Sequence, residues 1–189
     1  MTISVLTPTI DGRQAMLVEC MASVAAQTYT DVEHVVRVDQ LGVGPAAVRN
    51  LAAVEASGDW LAFLDDDDLF LPHHLETLAL FTPDFDVIYS IATIQGRPGF
   101  NPQRNVFDAD RLRQSNYIPC TGMVRRSFFE QVGGFPDDLR GYEDYGLWLA
   151  LLDAGARFVC VPETTWIYRF GSWDSRSKRH RRARGKSTW

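Results

Sequence analysis

Residues 58–68 read GDWLAFLDDDD, in which five consecutive apolar residues, Trp60 to Leu64, lead directly into four aspartates. A short apolar run between polar residues predicts a buried strand. Adjacent carboxylates repel one another unless a cation lies between them, so we expect a divalent metal at the end of this strand. Carboxylate oxygens suit Mg²⁺ and Mn²⁺. Asp68 has an alternative role as the cap of a helix that runs from Pro72.

The sequence before this stretch alternates between strand and helix patterns. Residues 2–7 are apolar and β-branched, and we expect Pro8 to end that strand. A helix is predicted within residues 13–27, where the apolar stripe consists of Leu17, Met21 and Val24. The next predicted elements are a strand at 34–38 and a helix that contains Val48, Leu51, Ala52 and Glu55 and ends before Gly58. Such alternation implies a parallel sheet covered by helices.

Polar residues follow each of the first three predicted strands. They are Thr7 to Thr9, Asp39, and Asp65 to Asp68. Ligands of open α/β sheets bind beyond the carboxyl ends of the strands, so we expect these residues to share one site. Further strands are predicted at 86–91, 120–124 and 157–161, and further helices at 126–132 and 143–154. We therefore predict an α/β fold with a Rossmann-like, mostly parallel sheet flanked by helices.

The composition is that of an ordinary globular protein, with 46% hydrophobic and 23% charged residues among 189. This length suits one domain with a buried core. Three cysteines without C-x-x-C spacing suggest neither a disulfide framework nor a zinc site. The chain starts without the basic region of a signal peptide, and no stretch approaches the roughly 20 apolar residues of a membrane span. We expect a cytoplasmic protein, with at most peripheral membrane contact.

Basic residues concentrate at the end of the chain. Residues 169–189 contain eight of the 19 Lys and Arg residues and one acid, Asp174. The net charge of this segment is +7, and that of the preceding 168 residues is −12. We predict a folded domain over 1–170 and a basic arm over 171–189. The arm is either a solvated tail or a surface for a polyanion such as nucleic acid or an anionic membrane.

Six short motifs follow one another along the chain. They are Ser4-Val5-Leu6-Thr7-Pro8-Thr9, Gln27-Thr28-Tyr29, Ala46-Ala47-Val48-Arg49-Asn50, Asp65 to Asp68, Gly133-Gly134-Phe135 and Glu143-Asp144. In this order they resemble the motifs of the inverting family 2 glycosyltransferases, which have the glycosyltransferase A fold. The resemblance spans about residues 3–170. It implies transfer of a hexose from a nucleotide-diphosphate sugar, with UDP favoured, and Mn²⁺ or Mg²⁺ as the cofactor.

The resemblance also implies roles for individual residues. Asp65 and Asp67 form the D-x-D pair, with Asp67 as the more direct metal ligand, Asp65 near the ribose and Asp66 beside them. The other implied nucleotide-binding residues are Thr7, Pro8, Thr9, Asp39, Arg49 and Arg169. An ordinary position on a helix surface is the alternative for Arg49. The family often has two acids followed by Gly-Ser where this chain has Asp39 followed by Gln40-Leu41-Gly42, so the nucleotide base stays open.

Inverting transfer needs a base that removes the proton of the acceptor hydroxyl, and a carboxylate does this well. The family places this base at the E-D motif. The resemblance therefore implies Asp144 as the catalytic base and Glu143 as its neighbour in the acceptor site. Alternatively, both acids only balance the positive end of a helix dipole.

The end of the predicted domain departs from the family pattern. Tyr168-Arg169 are present, but Phe170-Gly171 stand where the family usually has a histidine. His180 could take over a contact with the metal or the diphosphate, and so could the basic residues Arg176, Lys178 and Arg179. His73 and His74 lie close to the aspartates, but we expect them to be ordinary exposed helix residues.

Two other functions remain open at this point. A sugar-phosphate nucleotidyltransferase shares the sheet and the metal, but it needs a glycine-rich loop where residues 9–13 hold one glycine. A non-enzymatic module would bind a cation at the acids and nucleic acid at the basic arm. The acceptor of a transferase could be a glycan, a lipid-linked sugar or a modified nucleic acid. Residues 93–119 and the arm are where we expect acceptor selectivity to lie.

Overall fold

The computed structural model describes residues 1–96, 106–139 and 141–170, and a seven-stranded sheet forms its centre. The strands are β1 (Ile3–Thr9), β2 (Val32–Val38), β3 (Trp60–Phe63), β4 (Leu69–Phe70), β5 (Val87–Gln95), β6 (Gly122–Arg125) and β7 (Phe158–Arg169). The helices are α1 (Gln14–Ala25), α2 (Pro45–Glu55), α3 (His74–Ala79), α4 (Ala109–Gln114), α5 (Arg126–Gln131) and α6 (Glu143–Asp153). No helix in these ranges has the length and apolar character needed to cross a bilayer.

The strands lie in the order β2-β1-β3-β6-β5-β7-β4. β1 pairs in parallel with β2 and β3, and β5 pairs in parallel with β7. β6 is antiparallel to β3 and β5, and β4 is antiparallel to β7. Of the seven described strands, five therefore run in one direction, and β4 and β6 run in the other. The predicted α/β fold with a mostly parallel sheet is confirmed.

Helices cover both faces of the sheet, which buries its central strands on both sides. In β3, Leu61 and Phe63 belong to one core cluster, and Trp60 and Ala62 belong to the other. This division follows the two-residue period of a strand. Helices α2, α5 and α6 contribute to the first cluster, and α1 and α3 contribute to the second. A strand covered in this way is apolar throughout, which explains the unbroken WLAFL run.

Pro8 does not end the first strand, contrary to our prediction. β1 continues to Thr9, and Pro8 lies opposite Arg37 of β2. β1 pairs with β3 only as far as Leu6. Beyond that residue, the β3 side of β1 has no ladder of hydrogen bonds that Pro8 could interrupt. Proline is tolerated in a strand where no neighbour needs its missing N–H.

Helix α1 buries the predicted stripe only in part: Val24 is buried and Leu17 is partly buried, but Met21 is not. Its buried residues are Cys20 and Val24, whereas Met21 is 45% exposed.

Two short elements, β4 and α4, were not predicted. β7 also runs well past the predicted end at Val161, because its second half pairs with β5 as far as Arg169 and with β4.

Candidate active site

A cleft of about 500 Å³ opens at the carboxyl ends of β1 and β3 and extends to the start of α6. Nine of the predicted site residues line it: Pro8, Thr9, Asp39, Arg49, Asp65, Asp66, Asp67, Glu143 and Asp144. Parallel strands end at one edge of the sheet, which brings together residues that are more than 130 positions apart in the sequence. The structure therefore places the predicted nucleotide-binding, metal-binding and catalytic groups in one cleft.

Two predicted site residues lie outside the cleft lining. Thr7 is fully buried, and its hydroxyl lies 2.9 Å from Nε2 of His34 rather than in the cleft. Burial lowers the pKa of His34 to about 4, so that imidazole is neutral near pH 7. Arg169 lies behind the aspartates, where Nε donates to the backbone oxygen of Asp67 and a terminal nitrogen pairs with Glu19. His180, Arg176, Lys178 and Arg179 lie outside the described residues.

Three of the four aspartates form an acidic cluster, which we define as Asp65, Asp67 and Asp68. One carboxylate oxygen from each lies within 4.8 Å of the others. Burial, and next the charges of Asp65 and Asp67, hold the pKa of Asp68 well above its usual range. The carboxyl of Asp68 therefore favours its neutral form unless a further positive charge lies beside it.

Asp68 does not cap a helix, so that alternative is wrong. Helix α3 begins at His74 after a turn at His73 and has no side-chain cap. The carboxylate of Asp68 instead accepts a 3.0 Å hydrogen bond from the backbone N–H of Arg169. This bond ties the end of β7 to the acidic cluster.

Asp66 is not a member of the acidic cluster. It is 4% exposed, and its two oxygens accept a 2.6 Å hydrogen bond from the hydroxyl of Thr9 and pair with Arg13 at 2.9 Å. Burial raises the pKa of Asp66 to about 6, although both partners favour the charged carboxylate. Arg13 also lies 2.7 Å from Asp67, and sequence reasoning did not single it out as a site residue.

Arg49 is 3% exposed, so the alternative of an ordinary surface arginine is wrong. Its guanidinium pairs with Asp65 and lies 5.3 Å from the centre of the Phe135 ring. An arginine held by a carboxylate and an aromatic face is fixed in position and keeps its charge. It supplies a positive charge at the wall of the cleft.

Asn50 connects the Arg49 motif to the Gly133-Gly134-Phe135 motif. Its amide donates to the backbone oxygen of Phe135 and accepts from the backbone N–H of the same residue, both at 2.8 Å. Gly134 has a φ of +79°, and a Cβ there would lie 2.5 Å from Oδ1 of Asn50. The glycine therefore makes room for the side chain that holds Phe135 against Arg49.

We expect Asn50→Ala to lower the free energy of unfolding by about 2–4 kcal/mol, because two backbone groups of Phe135 lose their partners. Urea unfolding measures this change. Val54→Ala, at an 84% exposed position of the same helix, is the control and should stay within about 0.5 kcal/mol of the parent. Equal stabilities of the Asn50 variant and the parent would contradict this role.

Asp39 organises the loop between β2 and α2. Its two carboxylate oxygens accept hydrogen bonds from the backbone N–H groups of Val43, at 2.9 Å, and Gly44, at 2.8 Å. Gly44 then precedes Pro45, the first residue of α2. Asp39 also lines the cleft, so its position is set before any ligand arrives.

Glu143 and Asp144 occupy the first turn of α6. One oxygen of Asp144 accepts a 2.8 Å hydrogen bond from the backbone N–H of Tyr145, and the other accepts a 3.0 Å bond from the amide of Asn116. Burial raises the pKa of Asp144, and these two hydrogen bonds oppose that effect. A carboxylate that is partly removed from water is a stronger proton acceptor than an exposed one.

The comparison with protein families follows the same motifs. The family described as Glycosyl transferase family 2 matches residues 34–143, which is more than half of the chain. The chain belongs to this glycosyltransferase family. Family membership favours a transferase over the nucleotidyltransferase and the non-enzymatic module.

Bacterial relatives are similar to this family 2 chain over part of their own length. It is 30% identical to the O-antigen biosynthesis protein RfbC of Myxococcus xanthus, over 93% of this chain and 16% of that protein. It is 32% identical to the uncharacterized glycosyltransferase YwdF of Bacillus subtilis, over 67% of this chain and 51% of that protein. The chain thus spans about half of the second relative and a small part of the first.

Solved structures show the same fold. The chain is similar to S. aureus TarS 1-349 in complex with UDP, with a TM-score of 0.75, 22% identity, and coverage of 89% of this chain and 60% of that one. The same protein in complex with UDP-GlcNAc gives a TM-score of 0.77 at 21% identity, over 94% and 61% of the two chains. The glycosyltransferase A fold inferred from the motifs is confirmed.

Sequence reasoning missed several residues of this family 2 site. Arg13, Cys120 and Tyr168 line the cleft, and Asn116 contacts Asp144. Tyr168 belongs to the Tyr168-Arg169 motif but was given no role in the cleft, and the other three residues belong to none of the predicted motifs. Their roles depend on through-space contacts that no spacing reveals.

His74 is not the exposed residue that we predicted. It is 1% exposed, stacks on Phe70 with ring centres 3.9 Å apart, and lies 2.7 Å from the hydroxyl of Thr165. Burial lowers its pKa to about 3. A neutral, buried imidazole of this kind ties α3 to β7 and lies outside the acidic cluster.

Proposed function

We propose that this chain transfers a sugar from a nucleotide-diphosphate sugar, with a UDP-sugar favoured, to an acceptor hydroxyl, with inversion and with Mn²⁺ or Mg²⁺. One observation carries the proposal. The metal-binding candidates Asp65 and Asp67 and the candidate base Asp144 line the same cleft. Family membership supports the class of reaction. The UDP and UDP-GlcNAc complexes of the S. aureus neighbour favour a uridine donor.

The residues of the acidic cluster fit a divalent ion. They supply three carboxylates with oxygens within 4.8 Å of one another, and hard cations such as Mg²⁺ and Mn²⁺ prefer oxygen ligands. We assign Asp67 and Asp65 as ligands, and the burial of Asp68 makes a nearby positive charge favourable there. When bound, the ion would neutralise charge that develops on the leaving diphosphate.

Other residues of the cleft would bind and orient the donor. Pro8, Thr9 and Asp39 line the cleft and would contact the nucleoside, and two backbone hydrogen bonds already fix the Asp39 loop. Arg49 offers a fixed positive charge beside Asp65. Arg169 braces the backbone of Asp67 and so holds the acidic cluster in place.

Asp144 would accept the proton of the acceptor hydroxyl as that oxygen attacks the anomeric carbon from the face opposite the leaving phosphate. Each of its oxygens keeps a lone pair after its one hydrogen bond. Glu143, whose carboxylate accepts a 2.7 Å bond from the backbone N–H of Gly141, would contact the acceptor beside it. We extend the proposal to a hexose donor and a cytoplasmic location, and leave the acceptor open among glycan, lipid-linked sugar and nucleic acid.

A thermal-shift screen of nucleotides with and without Mn²⁺ tests the proposal, because a ligand that binds the native state raises its stability. We expect UDP and a UDP-sugar to raise Tm when Mn²⁺ is present, and to do less in EDTA. NMR of the product should then show an anomeric configuration opposite to that of the donor. Retention of configuration would contradict inversion, and the lack of any nucleotide effect would contradict the function.

We expect Asn116→Ala to move the acid limb of the kcat/KM profile to higher pH. The amide of Asn116 stabilises the charged carboxylate, so its loss raises the pKa of Asp144 and reduces the ionised fraction at low pH. Activity below the midpoint should fall about two- to tenfold, with little change on the plateau.

Two charged side chains near Asp144 also influence its pKa and must stay the same in the pH experiment. They are Glu143, which raises its pKa, and Arg49, which lowers it, and both stay unchanged in the variant. Asn116→Asp should shift the limb further in the same direction, because a like charge opposes ionisation. Identical pH profiles for the parent and both variants would refute the contact as a catalytic influence.

A further inference from the structure

Arg13 places a positive charge directly on the acidic side of the cleft. It follows β1, lines the cleft, and keeps only 15% of its side chain exposed. One terminal nitrogen lies 2.9 Å from an oxygen of Asp66 and 2.7 Å from Oδ2 of Asp67. Asp67 is also a member of the acidic cluster. The arginine and a metal ion would therefore share one carboxylate.

The two carboxylates that hold Arg13 differ in exposure, with 6% of the Asp66 side chain and 16% of the Asp67 side chain exposed. Asp66 is 4% exposed and is fixed by the hydroxyl of Thr9, so it forms an anchor. Asp67 faces the cleft, where a ligand can reach it. Nε of Arg13 is buried and has no hydrogen-bond partner among the described residues. A shift of the guanidinium away from Asp67 would keep the Asp66 pair and bring further donors toward the cleft.

We propose that Arg13 is the built-in counter-cation of Asp67 within the acidic cluster, and that it makes metal binding depend on the donor diphosphate. This inference rests on the proposed function, because it takes a nucleotide diphosphate as the ligand. Arg13 neutralises Asp67 in the ligand-free protein. It releases that carboxylate to the metal and turns to a phosphate oxygen when the diphosphate arrives.

The charges explain why the two ligands depend on each other. A divalent ion beside a guanidinium is repelled at close range in a partly buried site, so the metal alone binds poorly. A diphosphate supplies negative charge to both cations, and arginine pairs well with phosphate oxygens. Metal and nucleotide therefore strengthen each other's binding, and thermodynamic linkage makes the factor equal in both directions.

Isothermal titration of Mn²⁺, with and without saturating UDP, tests this inference on the intact protein. In the parent we expect UDP to tighten Mn²⁺ binding by about 10- to 100-fold, within the usual range of coupling between sites. Arg13→Met keeps much of the side-chain length and removes the charge. It should bind Mn²⁺ alone about tenfold more tightly, and the gain in Mn²⁺ affinity that UDP produces should be about tenfold smaller than in the parent.

Two variants serve as controls for the Arg13 experiment. Arg13→Lys keeps a positive charge and should retain most of the coupling. Arg157→Met removes an arginine that also pairs with a carboxylate, Asp86, but outside the cleft lining, and it should match the parent. Thermal unfolding of each variant checks that it is folded.

Several results would overturn the role of Arg13. One is an unchanged or weaker affinity of Arg13→Met for Mn²⁺ alone. Another is independent binding of UDP and Mn²⁺ by the parent protein, a result that can be measured without any variant. Failure of the proposed function would give a different result, because UDP would then bind neither the parent nor the variant. The titration with Mn²⁺ alone would still decide whether Arg13 competes with the metal.

Discussion

Asp67→Asn is expected to lower sugar transfer by at least about 100-fold and to remove the Mn²⁺-dependent stabilisation by nucleotide, while the fold stays intact. An amide keeps the shape of the side chain but removes the negative charge that holds a divalent ion. Asp67 lies at the cleft and outside both core clusters, so its replacement leaves the packing unchanged. Donor turnover and thermal shift with and without Mn²⁺ measure the two effects.

Asp84→Asn is the matched control for this substitution, because Asp84 is an exposed aspartate outside the cleft lining. It should behave as the parent in both assays. Turnover of the Asp67 variant at a near-parental rate with the metal chelated would show that the metal role is wrong.

Asp144→Asn is expected to cut turnover by about 10²-fold or more, with little change in nucleotide affinity. Loss of a general base acts on the transition state, where the acceptor proton is transferred, and not on the bound donor. The variant keeps side-chain volume, so the contact of Asn116 with this position can be retained. Single-turnover kinetics and UDP titration separate the two quantities.

Asp153→Asn, at the last residue of the same helix, controls for general effects on α6. It loses only an exposed 2.7 Å pair with Arg113 and should keep parental turnover. An equal loss of nucleotide binding and turnover in Asp144→Asn would instead indicate a structural role at the helix start.

The first half of the fold was predictable because its signals are local. The apolar run of β3 and the four aspartates are contiguous in the sequence, so their proximity needs no tertiary information. The carboxyl-end rule for parallel sheets then brought Asp39 and the aspartates to one edge.

The rest depended on tertiary contacts that the sequence does not display. Pro8 stays in β1 because the β3 partner has ended, which no local pattern indicates. The second half of β7 is only partly buried and gains its regular structure from pairing with β5. Arg13 and Asn116 lie far along the chain from most of the groups they influence. Asp68 binds a backbone N–H that lies 101 residues away.

Diffraction from crystals grown with UDP and Mn²⁺, recorded at a wavelength where manganese scatters anomalously, locates both the metal and the nucleotide relative to the acidic cluster. We expect an anomalous peak within bonding distance of the Asp67 carboxylate. We also expect a diphosphate at that peak and a uracil beside Pro8 and Asp39. A nucleotide bound outside the cleft, or a manganese peak away from the acidic cluster, would contradict the proposed function.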